Sequence, residues 1–473
     1  MRSVFLSVTH DEAVTVMYHV QNSLYDILYF QGSLLSNHHL LNTLLIKFTT
    51  TIFGLNEFVA RVPVLFGALL YLSGVLVISK KLFNENFLIF SSVVLLSVNP
   101  FVIDFFSLAR GYSLAIGTFI WALIYFLKWV GLNDGRVKRK YLFIVFSCLT
   151  ISTLSNLAFL NVYLGSIVVV LFFEAGVLRN SGKSIVQKFV YVRDEIVLPI
   201  VPSLLLLLTI YYFPVVAMNG SGEFYFGGVN NLWSDTINSL IEATLYGINY
   251  RDDIIKIIAW VFLSMQLVTG IVLVLAKCGK YFVVRREFGL ILLLIVSILL
   301  GIEAQNIFFG TRYLVERAAI FLLPLFMLQF LGVWMVIIAS RARVKNIFNV
   351  IGIVVIFFCY IHFLNSLNYN SSFVWGYDAN SREAVEKIAR LKESGVNIHM
   401  IGSTWILAPS LSFYRYKFGM FDIDPITRKG PDNIYDVYYL RPEDAFLVSK
   451  YHLKVVSIFK PSNNILAIRY DNY

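Results

Sequence analysis

The chain has 473 residues, 58% of them hydrophobic and 14% charged, with a formal net charge of +10 and a mean hydropathy of +0.72. Soluble domains carry roughly 25% charged residues, so this composition excludes a soluble enzyme, a disordered regulator and a disulfide-stapled secreted domain. Runs of about 20 apolar residues, each able to cross roughly 30 Å of hydrocarbon as a helix, place the chain in a membrane. The cysteines Cys148, Cys278 and Cys359 fall in apolar spans and read as small apolar-face residues with no disulfide or metal role.

From the N-terminus, MRSVFLSV looks like the tail of a helix, with no long apolar core or small-residue cleavage site of a signal peptide. The expectation is a further apolar helix upstream of Met1, because the polar segment that follows needs carrying across the membrane. Residues 12–30 and 37–53 are too polar to span. In the second, Leu40, Leu41, Leu44, Leu45, Phe48 and Ile52 share one side at helical spacing; Val16, Val20, Leu24 and Leu28 repeat the pattern more weakly in the first. Both read as interfacial helices with the apolar face in lipid. The segment LNEFVAR leads to Pro63, read as the start of the first span.

Ten candidate spans follow, near 62–79, 87–103, 111–129, 141–155, 158–176, 196–217, 254–276, 288–308, 317–339 and 347–365. One set of loops carries Lys80 and Lys81; Lys128, Arg136, Lys138, Arg139 and Lys140; Arg179, Lys183, Lys188 and Arg193; Lys277, Lys280, Arg285 and Arg286; and Arg341, Arg343 and Lys345. The alternate set is nearly free of them, so the positive-inside bias makes the basic set cytoplasmic. The +10 charge is thus a topology signal, not a nucleic-acid footprint. The first 61 residues form an outer loop, 62–365 the bundle, and 366–473 a small domain on the outer face. In that domain Asn380 caps a helix with Glu383 in its first turn and Gly395 past its end. VNIHMIG (396–402) reads as a strand, 406–418 as a second helix, and VYYLR, KVVSIF and ILAIRY as further strands. The fold class is an all-α polytopic membrane bundle of about ten transmembrane helices, with interfacial helices and a C-terminal α/β domain.

Ionisable residues are almost absent from span centres and gather at the outer rim: His10, Asp11, Glu12, His38, His39, Asp104, Arg110, Glu303, Arg312, Glu316 and Arg317. An ion-coupled transporter places carboxylates near the midplane; a site at the lipid boundary suits a substrate with a lipid tail and a polar head. In THDEA, Asp11 or Glu12 can act as a general base, or Thr9 or Asp11 simply caps a helix. Arg110 in LARGYSLA can fork onto a phosphate and stabilise it as a leaving group, or can snorkel or pair with Asp104. Arg317 in YLVERAAIF poses the same choice, with Glu316 as a local partner. His38 and His39 can hydrogen-bond a sugar or phosphate, or face water. The histidines match no zinc spacing, so no cofactor is called for and a divalent cation has no support. No GxSxG, Walker or GxGxxG pattern stands with the right flanks.

The ordered set THDEA, NHHLLNTLL, FGLNEFVARVPVLFGALL, NPFVIDFFSLARGYSLA and YLVERAAIFLLPLF resembles the GT-C superfamily of integral-membrane glycosyltransferases. The nearest branch is that of protein O-mannosyltransferases and lipid A aminoarabinose transferases. The resemblance covers residues 9–125 well, 310–325 moderately and the rest by hydropathy. It implies inverting transfer of a sugar from a polyprenyl-phosphate donor to a glycan, lipid or protein acceptor on the outer side of a cell (inner) membrane, with no nucleic-acid partner. By that resemblance Asp11 matches the catalytic base and Glu12 its acidic neighbour. Arg110 and Tyr112 belong to an ARxY-like motif near the donor phosphate. Arg317 lies in the late outer-rim motif, a further substrate contact, and His38 and His39 stand where many members have His-Pro-Pro. The competing readings are a transporter or flippase of lipid-linked glycans and a non-catalytic membrane subunit of this type.

Overall fold

The computed structural model describes residues 1–251 apart from 32–34, 36, 133, 180 and 224–225; positions 253, 254, 257, 260, 261, 264 and 268; and residues 282–469 apart from 341, with the backbone alone at 282–285, 336–340, 342–345 and 348. The span expected at 254–276 falls largely outside the described residues, and Cys278, Lys277 and Lys280 fall wholly outside them.

Among the described residues, six helices are long and apolar enough to cross a membrane: Glu57–Leu82, Tyr112–Trp129, Leu157–Arg179, Ile185–Ser221, Arg286–Phe309 and Asn349–Ser366. Shorter apolar helices cover Leu40–Phe53, Asn86–Ser97 and Leu322–Met335. The chain is an integral membrane protein, mostly helical, with a small mixed sheet near its C-terminus, as its composition and periodicity led us to expect.

In chain order the elements that build the site are α1 (Arg2–Phe5), α2 (His10–Val14), α3 (Leu24–Leu28), α4 (Leu40–Phe53), α5 (Glu57–Leu82), α6 (Asn86–Ser97), α7 (Pro100–Phe105), α8 (Tyr112–Trp129) and α9 (Gly135–Ser155). A π-helical turn, Thr15–His19, continues α2. Helices α5 and α8 approach closely because glycines face each other across the contact. A Cβ at Gly67 would meet the Leu114 backbone nitrogen at 2.5 Å, and one at Gly117 the Gly67 carbonyl oxygen at 2.5 Å. Such small-residue crossings let helices pack by dispersion where no hydrophobic drive separates them from lipid. Ser113 Oγ donates to the Val64 carbonyl at 2.6 Å and Trp121 Nε1 to that of Leu70 at 3.0 Å, fixing the register. The first turns of α5 and α8, carrying Arg61 and following Arg110, are thereby held side by side.

Several boundaries differ from expectation, each for a local reason. Pro63 lies inside α5 instead of opening it, because the Asn56 side chain accepts from Val59 N at 2.9 Å and starts the helix at Glu57. The 87–103 span is broken into α6 and α7 where Asn99 caps Phe101 and Val102 ahead of Pro100. A separate 3₁₀ turn, Glu316–Ala319, precedes the helix Leu322–Ser340. Val16 and Val20, expected to face lipid, are buried in one apolar core with Ile388, Leu411 and Leu466 of the C-terminal domain. Leu40 is buried too, whereas Phe48 and Ile52 of α4 are exposed and its Asn42, Thr43 and Thr49 turn inward. Cys148 and Cys359 are free thiols packed against the bundle core.

The C-terminal sheet has the order β1-β2-β4-β3, with β1 Ile401–Ser403, β2 Val437–Leu440, β3 Leu453–Ile458 and β4 Ile465–Arg469. Strands β1 and β2 pair in parallel, the rest antiparallel. Its helices are Ser381–Glu393 and Ala408–Lys417. Strand β1 is shorter than expected because the His399 and Met400 N–H groups donate to the Asp436 carboxylate at 2.8 and 2.9 Å.

Candidate active site

The THDEA motif divides its labour between two neighbouring carboxylates. Thr9 is extended and forms the N-cap of α2. Glu12 reaches back to it, accepting from Thr9 N at 2.9 Å and from Thr9 Oγ1 at 3.2 Å. The same carboxylate accepts from Ala109 N at 2.5 Å and from both sides of the Arg61 fork, Nε and Nη2, at 2.8 Å each. Arg61, fully buried, also donates to the carbonyls of Ser3, Leu6 and Ser7. Glu12 is therefore saturated, an anchor binding the motif to α5 and to the segment before α8. Burial raises its pKa, and Arg61 together with these N–H donors outweighs that and holds it below the usual range.

Capping thus falls to Thr9 and Glu12, which leaves Asp11 facing elsewhere. Its Oδ2 lies 3.5 Å from Arg110 Nη2 and 3.7 Å from Arg317 Nη2, and this buried oxygen has no hydrogen-bond partner among the described residues. Asn37 Nδ2 approaches Oδ1 at 3.4 Å. Burial pushes the Asp11 carboxyl up, but Arg110 and Arg317, assisted by His10 and Asn37, carry it below its ordinary value, so it is ionised. Arg110 is braced by donation to the Asp11 carbonyl at 3.3 Å, Thr15 Oγ1 at 3.1 Å and the Asn37 carbonyl at 2.9 Å. Arg317 lies over the Trp375 ring, 4.7 Å from its centroid. Arg110 faces Asp11 and not Asp104, while Arg317 faces Asp11 and also feels the charge of Glu316. Asp104 is held by Arg2, Tyr246 and the Phe373 N–H, and Glu316 turns its backbone N–H to Ser239.

Around this centre the ARGY loop and the histidines converge. Gly111 is required by a close approach: a Cβ there would fall on the Ser155 carbonyl oxygen and lie 3.0 Å from His39 Cβ. His39 packs edge-on to Tyr112 with centroids 5.0 Å apart. Burial, then the charge of Arg110, holds His39 well below its ordinary pKa. His38 stacks on His19. The structure thus brings Asp11, Arg110, Arg317, His38, His39 and Tyr112 into one neighbourhood, with Glu12 on its far side as anchor. Arg61, Asn37 and His19 carried no role of their own in the sequence reading, and Asp378 was not singled out there. Arg61 was within reach: starting α5 at the Asn56 cap puts an arginine inside an apolar helix, which demands a buried carboxylate partner.

The C-terminal domain completes the site. Val8 N donates to Tyr414 Oη at 2.8 Å, Ser7 Oγ to the Ala379 carbonyl at 2.8 Å, and His10 N to Asp378 Oδ2 at 2.6 Å. His10 Nδ1 lies 2.6 Å from the Ile406 carbonyl. Asp378 is buried and also accepts from Ser410 Oγ at 2.7 Å. Burial pushes its carboxyl up to about 8, with hydrogen bonds from Ser410, His10 and Ser381 opposing and the Asp11 charge adding to the rise. Asp11 is therefore positioned from both sides, by α5 through Glu12 and by the C-terminal domain through His10.

Among the described residues, no group of three or more His, Cys, Asp or Glu side chains is placed to hold a metal ion. No protein-family model and no curated protein sequence matches the chain. Its structure is similar to that of ArnT from Cupriavidus metallidurans bound to undecaprenyl phosphate, with a TM-score of 0.51 at 11% sequence identity, over 99% of this chain and 94% of that one. The same transferase in the apo state gives a TM-score of 0.46 at 13% identity, over 98% and 94% of the two chains. The first of these comparisons bears out, at the level of fold, the resemblance read from the motifs: the chain has the fold of ArnT, a GT-C aminoarabinose transferase.

Proposed function

We propose that this chain is an inverting glycosyltransferase that moves a sugar from a polyprenyl-phosphate donor to an acceptor on the outer side of the membrane, with Asp11 as general base. The observation that carries the reading is the buried Asp11 Oδ2, without a hydrogen-bond partner among the described residues and faced by two guanidinium groups at 3.5 and 3.7 Å. An acceptor hydroxyl or amine attacks the anomeric carbon from the face opposite the phosphate. Its proton passes to Asp11, the bond from carbon to phosphate oxygen breaks, and polyprenyl phosphate leaves with its charge on Arg110 and Arg317. General base catalysis is worth about 10²–10⁴-fold, and preorganised cations at the leaving oxygen add to it. Glu12 and Arg61 position the base; Tyr112, His38 and His39 line the place of the substrate.

The choice of polyprenyl phosphate rests on the shared fold, since that ArnT structure is bound to undecaprenyl phosphate. The outer location rests on charge placement. Helix α5 carries Arg61 near its start and Lys81 at its end, a separation of about 30 Å at 1.5 Å per residue, and Lys81 pairs there with Glu287 at 2.6 Å. The site thus sits at the ends of the helices away from the basic loops, which the positive-inside bias assigns to the cytoplasm. On this reading residues 1–61 and 366–473 are extracytoplasmic and 62–365 form the bundle. The test is incubation of the purified full-length chain with a panel of radiolabelled polyprenyl-phosphate sugars. The reading expects transfer, or slow hydrolysis, of at least one, and lack of turnover across the panel by well-folded protein overturns it.

A further inference from the structure

Beside the Asp11–Arg110 contact lies a buried imidazole pair that the mechanism above does not use as a pair. His19 and His38 stack with ring centroids 4.6 Å apart and planes 13° from parallel, and Phe30 packs edge-on to His38 at 4.6 Å. His19 is 2% exposed and His38 5%, yet all four ring nitrogens have no hydrogen-bond partner among the described residues. Buried polar atoms nearly always find partners, and each exception calls for an explanation. Among the described residues, apolar packing and stacking, not hydrogen bonding, fix these rings, so their polar edges are left to something else. His19 also closes the π-helical turn Thr15–His19, a widened turn that is frequent at functional sites.

The protonation state narrows what that partner is. Burial, with Arg110 assisting and Asp11 opposing, lowers His19 to about 4; burial, with His19 and Arg110, lowers His38 to about 3. Both rings are neutral at neutral pH, and a neutral imidazole offers one donor and one acceptor. A phosphate only accepts and would leave two acceptor nitrogens orphaned. An ammonium only donates and would leave two N–H groups orphaned. Hydroxyl groups do both. Arg110 ties the pair to the phosphate position, because it donates to Thr15 at the start of the turn bearing His19 and to Asn37 next to His38.

We propose that His19 and His38 form the subsite for the hydroxyl groups of a neutral sugar carried on the donor phosphate. This rests on the reading of the chain as a polyprenyl-phosphate-dependent transferase. The test uses the full-length chain in lipid nanodiscs and compares the affinities of undecaprenyl phosphate alone, undecaprenyl phosphate bearing glucose or mannose, and undecaprenyl phosphate bearing an amino sugar. Wild type should bind a neutral-sugar lipid more tightly than bare undecaprenyl phosphate. The double variant His19→Phe/His38→Phe keeps the stacked rings and removes the nitrogens. It should lose about ten-fold in affinity for the glycosylated lipid, the scale of one or two neutral hydrogen bonds, with bare-lipid affinity unchanged. His19→Gln/His38→Gln, which restores a donor and an acceptor, should recover part of the loss. Preference for the neutral sugar retained in the Phe variant, an equal fall for the bare lipid, or a wild-type preference for the amino sugar each overturns the subsite. A wild type that does not bind undecaprenyl phosphate at all overturns the functional reading, and the subsite with it.

Discussion

Arg61 closes its guanidinium fork on both oxygens of Glu12, at 2.8 Å on each side, with both residues buried. This pair is the foundation of the site, because Glu12 also holds the Thr9 and Ala109 N–H groups. Removing one partner of a buried ion pair leaves an uncompensated charge and costs about 3–5 kcal/mol. Glu12→Ala and Arg61→Met should each lower thermal stability in detergent by that order. The double variant should be less destabilised than the sum of the two, and a double-mutant cycle checks the coupling.

Asp11 provides a pH prediction. Its folded pKa is depressed mainly by Arg110 and Arg317 against the opposing effect of burial. The stability contributed by its ionised form is complete above its ordinary value of 3.8 and is lost as pH falls through the lower folded value. Arg110→Gln removes the larger of the two opposing charges and should move the acid limb of the kcat/KM profile upward, toward neutrality. An acid limb unmoved by this substitution would show that Asp11 does not govern it.

Asp378 titrates in the opposite sense. Its carboxyl is raised to about 8 by burial, so the native chain binds a proton that the unfolded chain releases near 3.8. Stability therefore falls as pH rises through the window between those values, and the full cost is present above the upper one. Asp378→Asn cannot ionise, and its melting temperature should decline less than that of wild type between about pH 4 and pH 8. Asp378→Ala also deletes the acceptor of His10 N–H. It should lower turnover while leaving lipid-phosphate affinity near wild type, since His10 adjoins Asp11 whereas Arg110 and Arg317 are braced by other residues.

Gly111→Ala tests the packing of the ARGY loop. The added Cβ would fall on the Ser155 carbonyl and crowd His39. Overpacking of this kind typically costs about 1–3 kcal/mol, and because the shift lands next to Arg110, activity should fall further than stability. Thermal unfolding and transfer assays on the same preparation separate the two.

Much of this was legible in the sequence because it depends on local pattern. Apolar run length located the helices, and ordered short motifs around Asp11 and Arg110 pointed to the fold. The pieces that escaped are set by contacts with no local signature. Val16 and Val20 show the spacing of a lipid-facing helix, yet they pack on Ile388, Leu411 and Leu466; periodicity reports that a face is apolar, not what covers it. The Tyr414 hydroxyl that fixes Val8 and the Asp378 carboxylate that fixes His10 lie at the other end of the chain. The division of roles within Asp11-Glu12 was likewise undecidable from adjacency, since only the approach of Arg61 and Ala109 shows which carboxylate is saturated.

The proposed function makes Asp11 the acceptor of the proton from the incoming hydroxyl or amine. Its most direct test is the single-turnover rate of Asp11→Asn with a donor lipid that the wild-type chain turns over, measured beside the affinity of the variant for undecaprenyl phosphate. Asparagine keeps the shape and removes the proton acceptor. The rate should fall about 10²–10⁴-fold, with lipid-phosphate affinity retained or raised as Arg110 and Arg317 lose a competing carboxylate. A variant that transfers sugar within a few-fold of the wild-type rate would contradict the account.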